Sequence, residues 1–131
     1  MTLRKDPDAP LDQPAGGASI SGTIEFQGVR EPARNVTVYV RVQDTGSADG
    51  VAITVAEQVL RGVDIPPGAP PIPFAVQGIP ENARARYTVR VHADVDGNGA
   101  VSRGDYVSTQ SYTVETTGQP AVLTILAQYV G

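Results

Sequence analysis

Asp94-Val95-Asp96-Gly97-Asn98-Gly99-Ala100-Val101-Ser102-Arg103-Gly104-Asp105 places side-chain oxygens at its first, third, fifth, ninth and twelfth positions. These belong to Asp94, Asp96, Asn98, Ser102 and Asp105. The backbone carbonyl of Ala100, at the seventh position, completes a ligand set of the kind that wraps Ca2+. Gly99 stands sixth, where such a loop must turn sharply, and Val101 stands eighth, where it is expected to pin to a core. Three carboxylates so close in sequence repel one another unless a cation joins them. Asp105 is shorter than the usual glutamate at the twelfth position, so bidentate contact is harder and Mg2+ is less well excluded. A plainer reading stays open beside calcium: Asp-Gly and Asn-Gly are strong hairpin-turn signals, and Asp96 to Gly99 would serve as a polar turn. A turn does not, however, require acids at positions one, three and twelve together.

Other chemistry finds little support. His92 is the single histidine, and it falls on the polar parity of its segment, which predicts a surface histidine near the acidic loop. Ser102, Ser108 and Ser111 are available nearby, yet no G-x-S-x-G elbow accompanies them. Zinc clusters need more His or Cys than the chain has, and no phosphate-cradling glycine loop ends in a lysine. Arg103-Gly104-Asp105 spells the integrin tripeptide, read here as coincidence because Asp105 belongs to the loop. The tyrosines are too dispersed in sequence to form a stacking platform. The chain is therefore expected not to be an enzyme.

Composition narrows the class further. The 131 residues suffice for one domain with a real core. The net charge of -4 comes with ten scattered Lys and Arg residues, and without a basic stripe nucleic-acid binding is not expected. There is no cysteine, so disulfides and thiolate sites are excluded. No apolar run is long enough for a transmembrane segment. Residues 1–17 hold Pro7, Pro10 and Pro14 and almost nothing to bury, so they are predicted to be a flexible tail or linker ahead of a folded domain over 18–131.

From residue 18 the apolar residues recur with period two. Ile20, Ile24 and Phe26 alternate with polar neighbours, and Val36, Val38, Val40 and Val42 form the cleanest half-buried strand. Val51 to Leu60 leans toward strand, although a helix over Ala52–Leu60 is conceivable. The proline-rich stretch Gly62 to Pro73 is expected to cross between sheets in extended form, with a proline-recognition ligand as the alternative. Phe74, Val76 and Ile79 make a short strand, and Pro80 to Arg86 has room for a helical turn. Tyr87 to Ala93 runs directly into the acidic loop. Tyr106 to Val114 and Ala121 to Val130 end the series, with a turn at Thr116-Thr117-Gly118. The expectation is an all-β chain: a single β-sandwich of about seven mainly antiparallel strands, immunoglobulin- or transthyretin-like. The acidic loop then clamps a hairpin between strands, with no helix pair to open.

Several short stretches together resemble the YbaY/YscW family of bacterial envelope lipoproteins. They are Ser21-Gly22-Thr23-Ile24, Asn35-Val36-Thr37-Val38, Ala56-Glu57-Gln58, Pro71-Ile72-Pro73-Phe74, Arg86-Tyr87-Thr88-Val89 and Tyr112-Thr113-Val114. The resemblance implies a β-sandwich in the bacterial envelope and, in its pilotin branch, a chaperone that escorts a secretin subunit to the outer membrane. The chain departs from that pattern in lacking the lipidated cysteine and in carrying the Asp94–Asp105 loop. The leading expectation is a non-enzymatic, calcium-binding structural or adaptor module, extracytoplasmic (periplasm or cell surface), whose signal peptide is not part of this sequence. One alternative is a pilotin-like chaperone for a secretin or other envelope-protein segment. The other is self-assembly through the 1–17 tail. The expected partner is another envelope protein or a second copy through an edge strand.

Overall fold

The computed structural model describes residues 17–46, 50–81, 85–114 and 121–131. Among them every regular element is a strand: β1 Gly17–Gln27, β2 Ala33–Asp44, β3 Ile53–Ile65, β4 Ile72–Pro80, β5 Tyr87–Asp94, β6 Tyr106–Ser108, β7 Tyr112–Val114 and β8 Ala121–Tyr129. The tail expectation, and strand addition by that tail, fall on residues 1–16, outside the described residues; Gly17 already belongs to β1. The helical turn expected between Pro80 and Arg86 and the Thr116–Gly118 turn also fall mainly on residues not described.

Alternation in the sequence becomes burial in the fold. Val36, Val38, Val40 and Val42 are fully buried, while Thr37, Tyr39, Arg41 and Gln43 of the same strand are partly exposed. Branched apolar side chains suit the pleated inner surface, and the segment keeps an unbroken register with β5 while its pairing with β3 shifts beside Val36 and Val42. The run expected from Val51 settles as strand from Ile53, and β3 extends past Gly62 to Ile65. The stretch read as one strand from Tyr106 to Val114 divides into β6 and β7, both of which pair with β5.

The strands make one hydrogen-bonded sheet in the order β3-β2-β5-β6-β8-β1-β4, with β7 beside β5. Pairing is antiparallel throughout except between β1 and β8, which run parallel in unbroken register from Ile20–Ala121 to Gln27–Gln128. The turn at residues 66–71, held by the Ala69 N–H donating to the Pro66 carbonyl at 2.9 Å, links the two outermost strands. Gln58 Oε1 on β3 accepts from the Ala75 N–H of β4 at 2.8 Å, across the gap that remains. The sheet thus curls into a nearly closed barrel in place of the two facing layers expected of a sandwich. Alternation along each strand is the same for both arrangements, so it did not distinguish them. The proline-rich stretch does cross, but between the edges of one sheet.

The parallel β1–β8 pair depends on Gly22. A Cβ at this position would lie 1.8 Å from the Leu123 carbonyl oxygen, closer than any side chain can approach backbone. Inside the barrel Ile20, Ile24, Phe74, Val89 and Ile125 meet the valines of β2 in one apolar core. That core fixes β5 and β6, the two strands between which the acidic loop is strung.

Candidate functional site

β5 delivers His92 and Asp94 to one end of the barrel, and β6 begins immediately after Asp105. The loop between them is tied down at its far end. The Gly104 N–H donates to the Val130 carbonyl and the Val130 N–H to the Asp105 carbonyl, both at 2.8 Å. Gly99 takes a positive φ of 79°, as the sharp sixth-position turn requires. With those ends fixed, the loop folds inward on its own carboxylates.

Asp94 Oδ1 accepts from the Gly97 N–H at 3.1 Å, and its Oδ2 accepts from the Gly99 N–H at 2.8 Å. Asp96 Oδ1 accepts from the Asn98 N–H at 3.3 Å and Oδ2 from the Ser102 hydroxyl at 2.9 Å. Asn98 Oδ1 in turn accepts from the Ala100 N–H at 3.0 Å. Asp105 Oδ1 accepts from the Val95 N–H at 3.0 Å, and Oδ2 takes the Ser102 N–H at 3.1 Å. The five predicted side chains Asp94, Asp96, Asn98, Ser102 and Asp105 are thereby drawn into one network. Ala100 takes part through its N–H. The Ser102 hydroxyl, foremost, holds the exposed Asp96 carboxyl below the ordinary aspartate range; some desolvation opposes this and the Asn98 N–H assists it.

His92 was not predicted to belong here. Its Nε2 lies 2.9 Å from Asp105 Oδ2, and an ionised carboxylate only accepts, which places a proton on Nε2. The parity argument assigned the correct face of β5, but that face is covered. Tyr39 stacks on the imidazole at 6.0 Å between centroids, and the loop lies over it. His92 is 7% exposed, Asp94 2% and Asp105 fully enclosed, and their ligating atoms fall within 4.8 Å of one another. The sequence signal that would have found His92 is its place two residues before the first loop acid, on the face shared with Asp94. Burial of Asp105 also removes the integrin reading of Arg103-Gly104-Asp105, since its carboxylate does not reach solvent.

Two further corrections concern apolar side chains. Val101 does not pin the loop to the core: it is 58% exposed and overhangs the outer face of β5 and β6. Tyr106 and Tyr129, far apart in sequence, meet edge to face at 5.5 Å, and Phe26 meets Tyr106 at the same distance. Antiparallel pairing of β6 with β8 sets Tyr106 opposite Tyr129, and parallel pairing of β1 with β8 adds Phe26.

The donor set is hard oxygen with one adjacent imidazole. Asp94, Asp96, Asn98 and Ser102 suit an oxygen-seeking cation, and each carboxylate oxygen retains acceptor capacity beyond its N–H bond. His92, hydrogen-bonded to Asp105, acts in such a site as the group that orients this carboxylate. Among the described residues no hydrogen bond joins a serine hydroxyl to His92: Ser102 Oγ donates to Asp96 Oδ2 at 2.9 Å, and Ser108 Oγ accepts from the Val91 N–H at 2.9 Å.

The family model for the type III secretion system lipoprotein chaperone YscW matches residues 15–125. The chain belongs to the YscW family. A solved structure of an alternative pilotin from the type II secretion system of Vibrio cholerae superposes on this YscW-family chain with a TM-score of 0.66. The two are 22% identical, and the match spans 88% of this chain and 98% of that one, a likeness of fold. A search of curated proteins finds no match. No helix among the described residues is long and apolar enough to cross a membrane.

Proposed function

We propose that this YscW-family chain is a non-enzymatic chaperone of the bacterial envelope, pilotin-like, which binds a segment of a secretin or of another envelope protein. Family membership over residues 15–125 carries the reading, with the pilotin-like fold in support. The domain that does the binding is the folded unit following residue 17, and an extracytoplasmic location accords with the family's lipoproteins. The test is affinity capture from the native envelope followed by mass spectrometry. Recovery of a secretin or another envelope protein in stoichiometric amount is expected; capture of nothing above a bead control overturns the reading.

A second role is favoured by the enclosed carboxylates of Asp94 and Asp105 beside His92. Under it, Ca2+ is held by Asp94, Asp96, Asn98, the Ala100 carbonyl, Ser102 and Asp105, and stabilises the barrel end without taking part in any reaction. A cation that binds only the folded chain raises its stability in proportion to the logarithm of its concentration. Titration calorimetry and melting in calcium against EGTA decide this: no heat and an unchanged Tm sink it. Magnesium in place of calcium distinguishes the two ions.

A further inference from the structure

β5 is covered on both faces at every position except one, Arg90. Its cross-strand neighbour on β2 is Arg41. Two like charges directly opposite on an antiparallel pair are destabilising, so such a pair needs a compensating group. Arg41 has one: its Nε donates to Glu57 Oε2 at 2.6 Å, and its guanidinium lies 4.6 Å from the centroid of the Tyr39 ring. The Arg90 side chain forms no ion pair or hydrogen bond among the described residues. Both arginines line a groove of about 390 Å3 on the outer face of β2, β5 and β6, floored by His92 and walled by Gln43, Val101 and Val107. The groove is cationic on a chain whose net charge is -4. It also has an apolar rim, because Val101 stands out from the acidic loop.

We infer that this groove is the docking surface for an acidic peptide segment of the client, with a carboxylate on Arg90 and a flanking apolar side chain against Val101 and Val107. It deepens the client-binding reading above and rests on that reading for its biological partner. Charge complementarity selects the occupant. A guanidinium with no partner takes a carboxylate in two parallel hydrogen bonds, and Arg41, held rigid by Glu57 and Tyr39, adds field without competing for the same geometry. The valines supply the apolar contact that a free anion in water would not use.

The test is titration of the 15N-labelled chain with an acetylated pentapeptide centred on leucine–glutamate–leucine, beside otherwise identical glutamine and lysine peptides. The glutamate peptide is expected to shift the amides of Arg90, Val101 and Val107, with the lysine peptide silent. Arg90→Glu is expected to weaken binding about tenfold or more, and Arg90→Lys less. Arg90→Lys should melt as the parent does, and Arg90→Glu no lower, since it replaces the like-charge pair with Arg41 by an opposite-charge one, so a loss of binding is not a loss of folding. Equal binding of the glutamine peptide, shifts elsewhere on the barrel, or an unchanged affinity in Arg90→Glu overturns the groove. So does binding to vesicles of anionic phosphatidylglycerol that depends on Arg90 while the peptide leaves the spectrum unmoved. If Arg90→Glu captures the same envelope client as the parent, the groove is overturned and the chaperone reading stands. If the glutamate peptide binds through Arg90 but no client is captured, the groove stands and the chaperone reading falls.

Discussion

The imidazole Nε2 of His92 lies 2.9 Å from Oδ2 of Asp105, a carboxylate wholly enclosed by the loop it terminates. That single group accepts from His92, from the Val95 N–H and from the Ser102 N–H. Removing it leaves three donors without their acceptor, that of His92 buried and the other two partly buried. Asp105→Ala should therefore destabilise the chain by about 3 kcal/mol, and Asp105→Asn by less, since one acceptor oxygen survives. Urea unfolding in EGTA measures this without a contribution from metal. A loss below about 1 kcal/mol for the alanine variant means the contacts do not persist in solution.

Ser102→Ala should raise the titration of Asp96, because the hydroxyl is the main cause of its lowered value. Asp96 releases its proton more readily folded than unfolded. Its contribution to stability is thus present above the ordinary aspartate range and is lost as pH falls through the lower folded value. Carbon-detected NMR titration of the carboxyl group in EGTA follows the shift directly. An Asp96 titration unmoved by the substitution contradicts the assignment.

Gly22→Ala should lower stability by about 2–3 kcal/mol and Tm by roughly 10 °C, since the new Cβ has only the Leu123 carbonyl to meet. Thermal melting followed by circular dichroism is sufficient. A Tm unchanged within error means that β1 and β8 do not approach as closely as described.

Tyr106 is expected to titrate above the ordinary tyrosine range, chiefly because burial penalises its phenolate and secondarily because Tyr129 is near. Its stabilising effect is complete below that range and fades as pH rises through the higher folded value. Tyr129→Phe removes the lesser cause and should bring Tyr106 only partly back. Tyrosinate absorbance against pH reads the shift, and full restoration would reverse the order of causes.

The alternation of Val36 to Val42 made β2 legible residue by residue, because a period of two has one structural meaning when one face is buried. The loop was legible as a polar cluster: Asp94, Asp96, Asn98, Ser102 and Asp105 lie close in sequence, and hydrogen bonds within the loop gather them. His92 was not legible, since parity reports a face of the strand and says nothing of what later covers it. Val101 misled in the opposite sense, as position eight of a loop meets a core only where the barrel supplies one. The curled single sheet was hidden because the pairing of β1 with β8 joins segments about a hundred residues apart, and no local pattern encodes that contact.

Gln58 sits where the barrel fails to close, its amide oxygen accepting from the Ala75 N–H on the edge strand β4. Unpaired strand edges are the usual starting point for sheet-to-sheet aggregation. A side chain that fills the vacancy with an acceptor of the chain's own shields the seam while leaving it free to breathe. Under the proposed client-binding role, such a contact would keep a bound segment, or a second copy, from extending the sheet at this edge.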